Sequence, residues 1–397
     1  MSRTLYRNGA IYSTHDPFAT ALLVDGATIA WLGSEEAADG MAAGDVTVVD
    51  LAGALITPGL YDSAFAVPAD DTAHSAAAAA TTAGYVAVTA HAAADGVEAA
   101  GHLRALAAEA ENPASGLPEV RLWARATLAT PEDTARLRDA DGPHLTGLEP
   151  ATGDRADAAT LTAHLTAATR AGLATGWAVD TTAELDAVRE ALPAAAAEGA
   201  PLRTAGVHLA VSCDLDDADR SVLARHGVTV LATPAAGTPL RTPLAALAAD
   251  GVPLVLGSAA WAGDGSASDT GSAGGDPVSP WELVRACVQH PDPAQRLSSR
   301  AAFLALSRGG WRAAHAAHPL LGQLVPGAPA SYAVWEATEL MVQTPDSTVA
   351  AWSTDPRART PLLPALDTGR DPRCLRTVRE GLVLHDDGTL ATDPQAR

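Results

Sequence analysis

Short apolar runs alternate with alanine-rich stretches through the middle of the chain. Runs of strand length cover residues 85–90, 120–126, 144–148, 176–179, 204–210, 228–232 and 252–256, and an eighth begins at Leu60. Residues 103–110, 158–171, 183–196 and 216–224 have helical composition, and Thr160 and Asp216 are the predicted N-caps of two of these helices. Because strands that alternate with helices form parallel sheets, the pattern predicts an α/β fold with a TIM-like (β/α)8 barrel.

The two ends of the chain differ from the middle, since they contain short alternating strands separated by turn residues. This pattern covers residues 4–56 and returns at 331–335 and 380–385. It predicts an antiparallel β layer at the start of the chain and a small β-sandwich formed by the N- and C-terminal segments together. The predicted domains are therefore 1–57 and 321–397 as the two halves of the sandwich, and 58–320 as the barrel.

The charge balance excludes some partners and some chemistry. Acidic residues number 47 against 26 basic ones, for a formal net charge of -21, so no nucleic acid and no membrane are expected as partners. The sequence contains no lysine, so every basic residue is an arginine. Codon bias in a GC-rich genome explains this absence. Whatever its origin, the absence excludes Schiff-base chemistry and a phosphate-binding loop that needs lysine.

Cysteine usage and the lack of a targeting segment indicate the compartment. Cys213, Cys287 and Cys374 are far apart and odd in number, which fits neither a disulfide framework nor a CxxC metal site. No stretch resembles a signal peptide or a membrane-spanning helix. We therefore expect a soluble protein of the reducing cytoplasm.

A low-complexity tract of Gly, Ser, Asp and Ala occupies residues 262–276, directly after the last predicted barrel strand. The active face of a barrel lies at this end of its strands. Either a mobile lid or a disordered insertion would have this composition.

The order of several segments resembles that of the amidohydrolase superfamily. The segment from Ala54 to Ala66 is similar to the family's passage, through Pro58-Gly59, from the small sheet into the first barrel strand. Residues 215–234, 239–247 and 251–258 follow in the family's order, and 321–328 are similar to its return to the sandwich. The resemblance covers nearly the whole chain and implies a metal-dependent hydrolase scaffold.

The resemblance also implies where a metal would be held. In that family one or two divalent metals lower the pKa of a bound water, and an Asp at the eighth strand accepts its proton. The ligands are a His-x-His pair, often a carboxylated lysine, and a His on each of strands five and six. In this chain Ala64 and Ala66 replace the pair, Ala259 stands in the place of the Asp, and no lysine exists to be carboxylated. Most metal-ligand positions are therefore substituted.

Other positions leave the ligand set open. Asp180 stands where the family has the strand-five His, and on strand six either His208 or Val211 takes the ligand position, depending on the alignment. Glu149 is either a carboxylate that could bridge metals or an exposed loop residue. Asp264 lies in the loop beyond Ala259, where it could reach back. We expect no cofactor, and zinc only if the site is rearranged.

Polar residues near the ends of the predicted strands make up the candidate site. His91 directly follows a strand, where a functional histidine would lie, although a lone histidine at such a place is more often a solvated bystander. The catalytic candidates are Asp62, His91, Asp180 and His208, and the substrate-binding candidates are Arg125, Glu149 and Asp264.

Three functions are consistent with the sequence. The leading hypothesis is a degenerate amidohydrolase homologue that lacks the metal centre and binds a small molecule or a partner. The alternative is an active hydrolase of non-peptide C–N bonds, in cyclic amides or amidines, with a rearranged or metal-free site. The third is a structural subunit, in a homo-oligomer or paired with an active homologue.

Overall fold

The computed structural model describes residues 3–42, 45–68, 71–92, 97–125, 145–150, 152–234, 240–259, 278–337, 340–343, 352–353, 361–366 and 371–393. Within them the chain forms six strands, then eight strands with helices in most of the connections between them, and then seven more strands. The first six are β1 Arg3–Arg7, β2 Ala10–Ile11, β3 Ala21–Asp25, β4 Thr28–Gly33, β5 Val46–Asp50 and β6 Leu55–Pro58.

The next eight strands are β7 Leu60–Val67, β8 Tyr85–Ala92, β9 Glu119–Arg125, β10 Leu145–Glu149, β11 Ala174–Val179, β12 Val207–Val211, β13 Thr229–Ala232 and β14 Leu254–Leu256. They form one sheet in chain order, with every neighbouring pair parallel. The sheet nearly closes into a barrel between β14 and β7, where the N–H of Ala259, beyond the end of β14, donates to the Ala64 carbonyl at 2.8 Å. The predicted TIM-like barrel is confirmed.

The last seven strands are β15 Tyr332–Glu336, β16 Leu340–Gln343, β17 Trp352–Ser353, β18 Leu363–Pro364, β19 Arg373–Arg379, β20 Leu382–Asp386 and β21 Ala391–Asp393. Strands from both ends of the chain share two five-stranded sheets, in the orders β21-β5-β1-β3-β4 and β2-β6-β15-β19-β20. One buried cluster joins them, for example through Leu22 and Ile56, and the Tyr332 hydroxyl donates to the Tyr6 hydroxyl at 2.9 Å. A sandwich built from both ends of the chain is therefore present beside the barrel.

The first sheet is mixed, so the predicted antiparallel layer is wrong in one respect. β1 pairs with β3 in the antiparallel sense but with β5 in the parallel sense. A helix, α1 Glu35–Ala38, lies between β4 and β5 and carries the chain back across the sheet. Parallel neighbours need such a crossover, which a pattern of alternating residues alone does not reveal.

A single glycine connects the sandwich to the barrel. Gly59 separates β6 from β7, and its N–H donates to the Ser331 carbonyl at 3.0 Å. A Cβ atom at this position would lie 2.5 Å from the methyl carbons of Val86. Glycine is therefore required by the close packing of the two bodies at this point, and not by an unusual backbone angle.

The remaining helices are α2 Ala73–Thr82, α3 Val97–Ala110, α4 Ala158–Arg170, α5 Thr182–Ala197, α6 Leu202–Ala205, α7 Asp217–His226, α8 Leu244–Ala249, α9 Pro280–Val288, α10 Ser299–Leu304 and α11 Gly310–Ala313. A π-helix, Ala305–Gly309, joins α10 to α11. Short 3-10 turns lie at Asp39–Met41, Pro113–Ser115, Thr152–Asp154 and Pro293–Gln295. Of the helices in the described part of the chain, none is long and apolar enough to cross a membrane.

One predicted cap is confirmed and the other is wrong. Asp216 caps α7 through a reciprocal capping box with Asp219. The cap of α4 is Asp157, three residues before Thr160, because the Asp157 carboxylate accepts the N–H groups of Ala159 and Thr160. The strand predicted from residue 204 begins instead at Val207, since α6 occupies the residues before it.

Candidate functional site

Small and apolar side chains fill the inside of the barrel at the level of Ala64. We call this set the apolar layer, and its members are Ala64, Trp123, Ala178, Ala210, Leu231 and Val255. They come from six of the eight barrel strands. All are buried, with Ala64 1% exposed. The position that the resemblance assigns to the first metal-binding histidine therefore lies inside a packed hydrocarbon cluster.

Trp123 is the largest member of the apolar layer and stands between two of the candidate histidines. Its ring centroid lies 5.5 Å from that of His91 and 5.3 Å from that of His208. The indole rests against the backbone of Gly147, where a Cβ atom would lie 2.2 Å from Trp123 Cε2. The indole can occupy this place only because residue 147 has no side chain.

A small polar cavity lies beside the apolar layer, inside the barrel. Its volume is about 30 Å³, and its lining includes Tyr61, Thr89, Arg121 and His208. The Tyr61 and Thr89 hydroxyls are 2.8 Å apart, and Arg121 Nη1 donates to the Ala314 carbonyl at 2.7 Å. A space of this size accommodates one or two water molecules and no organic substrate.

Three charged or titratable groups meet at the carboxyl ends of β8 and β10. We call His91, Glu149 and Arg155 the carboxyl-end cluster. His91 Nδ1 lies 2.6 Å from Glu149 Oε1, and Arg155 Nη2 lies 3.9 Å from Glu149 Oε2. The side chains of Glu149 and Arg155 are 3% and 0% exposed. Glu149 is thus a buried partner, and the expectation of an exposed loop carboxylate is wrong.

The carboxyl-end cluster has the form of a base held by an orienting acid. A carboxylate beside Nδ1 favours a proton on that nitrogen, which leaves Nε2 as the basic nitrogen. Nε2 also lies 3.5 Å from the Ser63 carbonyl, a long contact in which the nitrogen must be the donor, so both ring nitrogens face acceptors. His91 can act as a base only where Nε2 gives up that contact, and a water in the small cavity, which His91 and Ser63 both line, would then be the proton source.

Asp62 connects β7 to the residues that follow β14, the first and last strands of the barrel sheet. We call this junction the seam. Asp62 Oδ1 accepts the N–H of Ala64 and the N–H of Ser258, each at 3.0 Å, and so links β7 to the segment that follows β14. Complete burial raises the pKa of this carboxyl from 3.8 to about 6, although the hydrogen bonds from Ser258 and Ala64 oppose the rise. In this arrangement Asp62 stabilises the barrel through its hydrogen bonds to the two ends of the sheet.

The raised pKa of Asp62 gives a testable pH dependence. Between about pH 4 and 6 the folded chain keeps a proton that the unfolded chain releases, so stability falls as pH rises through this window. Asparagine does not ionise in this range, so Asp62→Asn lacks the part of this fall in stability that comes from Asp62. From pH 4 to 7 the free energy of unfolding of Asp62→Asn, relative to wild type, is expected to rise by about 2 kcal/mol in urea titrations.

The matched control for this prediction is Asp217→Asn, because the Asp217 side chain is 98% exposed. Its difference from wild type should stay nearly constant across the same pH range. A difference between Asp62→Asn and wild type that does not change with pH would contradict a raised pKa at Asp62.

His208 lies toward the other end of the barrel from His91. It pairs with Thr229, the first residue of β13, whereas His91 pairs with Ala66 near the end of β7. Burial, with smaller contributions from the nearby His315 and His91, lowers the pKa of His208 to about 3, so the ring is neutral. Val211, the other candidate for the strand-six position, faces away from the barrel interior. It packs with Val188 of α5 in the apolar cluster between the strands and the helices, which we call the outer cluster.

The remaining candidates are not gathered at the carboxyl-end cluster. Asp180 is exposed after β11, where it accepts the Ser212 hydroxyl at 2.6 Å. The backbone of Arg125 pairs with that of Glu149, but the Arg125 side chain lies outside what the structure describes. Asp264 and the tract 262–276 also lie outside the described residues. The structure therefore brings together His91 and Glu149 and leaves the roles of all seven candidates as predictions.

The residues around Ala64 do not fit a divalent metal. Zinc is held by nitrogen, sulfur or carboxylate donors, most often four of them. The apolar layer offers methyl groups and an indole in that place. Across the described residues no group of three or more His, Cys, Asp and Glu side chains is arranged to hold a metal ion.

The sequence did not single out two residues that shape this region. Arg155 follows a short 3-10 turn in a loop, so no periodic pattern marks it as buried. Trp123 lies in an apolar strand, where the sequence pattern predicts only a buried core residue. The one signal for Trp123 was Gly147 on the neighbouring predicted strand, since glycine in a strand often marks close approach of another group.

Comparisons with known proteins give the fold a name. No protein-family model and no curated protein sequence matches this chain. Among solved structures, a triazine hydrolase variant superposes with a TM-score of 0.66 at 16% identity, over 97% of this chain and 95% of that chain. E. coli guanine deaminase gives 0.61 at 16% identity, over 97% and 99%.

An enamidase, described as a member of the amidohydrolase superfamily, gives a TM-score of 0.59 at 16% identity, over 96% of both chains. The likeness spans nearly the full length of each protein, and it agrees with the barrel and the sandwich described above. At this level of identity it establishes the architecture and not the activity. The chain therefore has the fold of the amidohydrolase superfamily.

Proposed function

We propose that this protein is a metal-free homologue of the amidohydrolases that binds a small molecule and has lost metal-dependent hydrolysis. The apolar layer is the observation that carries the proposal. A metal site needs several donors around one point, and loss of several donors weakens binding far more than loss of one. Here hydrocarbon groups pack at that point.

Two positions at the seam of the barrel support the same conclusion. The resemblance places a metal ligand at residue 64 and the proton-accepting Asp at residue 259, and both are alanine. The backbones of Ala64 and Ala259 are hydrogen-bonded to each other, and a Cβ atom on Gly257 would lie 2.6 Å from Ala64 Cβ. The seam is packed too closely there to admit an imidazole without rearrangement.

Elemental analysis tests the proposal. Protein produced in zinc-supplemented medium and purified without chelator is expected to hold less than about 0.1 zinc per chain, and treatment with EDTA should leave its melting temperature unchanged. Metal bound at one equivalent per chain, together with a fall in melting temperature on chelation, would overturn the proposal.

Thermal-shift screening tests the binding part of the proposal. The names of the similar structures, a triazine hydrolase and a guanine deaminase, direct the screen toward nitrogen heterocycles, alongside lactams, ureas and hydantoins. A ligand that binds only the folded state raises the melting temperature with its concentration. Stabilisation by a member of this set supports small-molecule binding, and a purely structural subunit would respond to none.

The carboxyl-end cluster favours a second candidate, a metal-independent hydrolase of non-peptide C–N bonds. A histidine oriented by a carboxylate at 2.6 Å is a common general base. Hydrolysis by this route would persist after chelation and would be lost in His91→Gln. Turnover that survives both chelation and His91→Gln would not come from this cluster.

A further inference from the structure

A second and larger cavity opens at the other end of the barrel. Its volume is about 570 Å³, which lies within the range of small-molecule sites. Gly227, Thr229, Gly251 and Leu254 line it, and they lie just before or at the starts of β13 and β14. We call it the amino-end pocket. Barrel enzymes carry their catalytic residues at the opposite, carboxyl end, so this pocket is separate from the carboxyl-end cluster.

Basic side chains dominate the polar part of the lining. Arg203, Arg308 and Arg312 all border the pocket, and none of its lining residues in the described chain is acidic. His315 borders it too, but burial and the nearby Arg121 lower its pKa and favour the neutral ring. This composition is unusual in a protein of formal net charge -21. The local charge is therefore opposite in sign to that of the whole molecule.

Two of these arginines have no carboxylate to neutralise them in the described part of the chain. Arg308 and Arg312 are four residues apart on the continuous helical stretch from the π-helix into α11, so their side chains leave from the same side. Arginines elsewhere, such as Arg220 and Arg376, form ion pairs, but Arg308 and Arg312 belong to none.

The neighbouring positive charges of Arg308 and Arg312 repel each other. Burial and the adjacent Arg312 lower the pKa of Arg308, and the Nε atom of Arg308 is buried without a hydrogen-bond partner among the described residues. An anion between the two guanidinium groups would relieve the repulsion and accept charge-assisted hydrogen bonds. Arg203 differs, because its guanidinium already donates to the carbonyls of Ala224 and Arg225.

The rest of the wall is apolar. Val252, Pro253, Leu297 and Leu304 face the cavity, together with alanines such as Ala301. A free inorganic ion would leave this surface wet, whereas a ligand with a hydrocarbon body would bury it. The pocket therefore combines an anion-binding side with a hydrocarbon-binding side.

We propose that the amino-end pocket binds a small organic anion, a carboxylate or a phosphate monoester with an apolar body, through Arg308 and Arg312. The proposal goes beyond the loss of metal chemistry and does not depend on it. It concerns binding, and no chemical step is assigned to this end of the barrel.

Calorimetric titration of the full chain with three matched probes tests the proposal. Naphthoate and naphthyl phosphate are the anionic probes, and naphthamide is the neutral probe of similar shape. Both anions are expected to bind at least about ten-fold more tightly than the amide, because each charge-assisted hydrogen bond discriminates by about this factor. Added salt should weaken binding of the anions and not of the amide. The tighter of the two anions identifies the carboxylate or the phosphate as the preferred group.

Variants locate the binding. Arg312→Gln and Arg308→Gln should each weaken binding of the tighter anion about ten-fold, and Arg373→Gln, an equal charge change in the sandwich, should leave it unchanged. Ala301 lines the pocket and is exposed, so Ala301→Trp should fill part of it sterically without altering charge. Equal affinities for naphthoate and naphthamide, no saturation up to about 1 mM, or full binding in Arg312→Gln and Ala301→Trp would overturn the proposal.

Discussion

Replacing Trp123 with alanine is expected to lower the free energy of unfolding by about 3–5 kcal/mol, the usual cost of removing a buried tryptophan from a core. Trp123 is 6% exposed and is the only aromatic member of the apolar layer. Its neighbours in the layer are mostly alanines, whose short side chains cannot move into the space that the indole leaves. Urea unfolding at neutral pH measures the loss.

Two further measurements separate a lost core group from general damage. Trp31 is only partly buried and lies on β4 of the sandwich, so Trp31→Ala should cost much less. Free indole should raise the melting temperature of Trp123→Ala and not that of wild type, because only the variant has a cavity of matching shape. A loss below about 1 kcal/mol in Trp123→Ala, with no response to indole, would contradict a packed apolar layer.

The sequence predicted the barrel because its strands are apolar on both faces. Strand β11, for example, contains Trp177 and Val179, which pack outward against the helices, and Ala178, which packs inward. Continuous apolar runs between alanine-rich stretches are typical of parallel strands buried on both sides. The boundary of β12 was missed because α6 is one turn long, too short to have a recognisable period.

The candidate site was harder to predict, because its members are brought together by the fold and not by spacing. The loss of ligands at Ala64 and Ala66 could be read directly from the sequence. What fills the space instead, the Trp123 indole against Gly147, depends on contacts between two strands. Glu149 appeared to be a loop carboxylate because the residue that covers it, Arg155, lies beyond the next turn.

The two strand-six candidates, His208 and Val211, occupy different faces of β12, although the structure does not assign the ligand position to either. Within β12, Ala210 belongs to the inner cluster, whereas Leu209 and Val211 belong to the outer one. His208 shares the inner face with Ala210, since side chains alternate along a strand, but it lies toward the amino end. A sequence alignment shows neither which face of the strand a side chain occupies nor how far along the barrel it lies, so it could not distinguish His208 from Val211.

Net charge and local charge lead to different conclusions about anions. A formal charge of -21 slows the approach of an anion from a distance. Screening reduces that effect beyond about 8 Å at physiological salt, so the groups within the amino-end pocket decide binding once a ligand is inside. Composition alone excludes polyanions that need a broad basic surface, but it does not exclude a small anion between Arg308 and Arg312.

Removing the Glu149 side chain, as in Glu149→Ala, is expected to lower the free energy of unfolding by about 3–5 kcal/mol, because it takes a carboxylate away from a fully buried guanidinium. Arg155 is 0% exposed, and Glu149 also accepts the hydrogen bond from His91. The control is Glu336→Ala. The Glu336 side chain is 62% exposed and pairs with Arg373, so its removal should lower the free energy of unfolding by less than about 1 kcal/mol.

A double-mutant cycle with Arg155→Met tests the reason for that loss. If Glu149 acts chiefly by neutralising Arg155, removal of both charges should cost at least about 1 kcal/mol less than the sum of the two single variants, since the second change then removes the uncompensated charge. Glu149→Gln adds a finer distinction, because the amide can keep a hydrogen bond to His91 but not the charge. Compared with Glu149→Ala, we expect Glu149→Gln to regain less free energy of unfolding than the double variant Glu149→Ala/Arg155→Met does. Strict additivity in the cycle would mean that Glu149 and Arg155 are neighbours without coupling, and that the loss in Glu149→Ala comes from contacts of the carboxylate other than the one with Arg155.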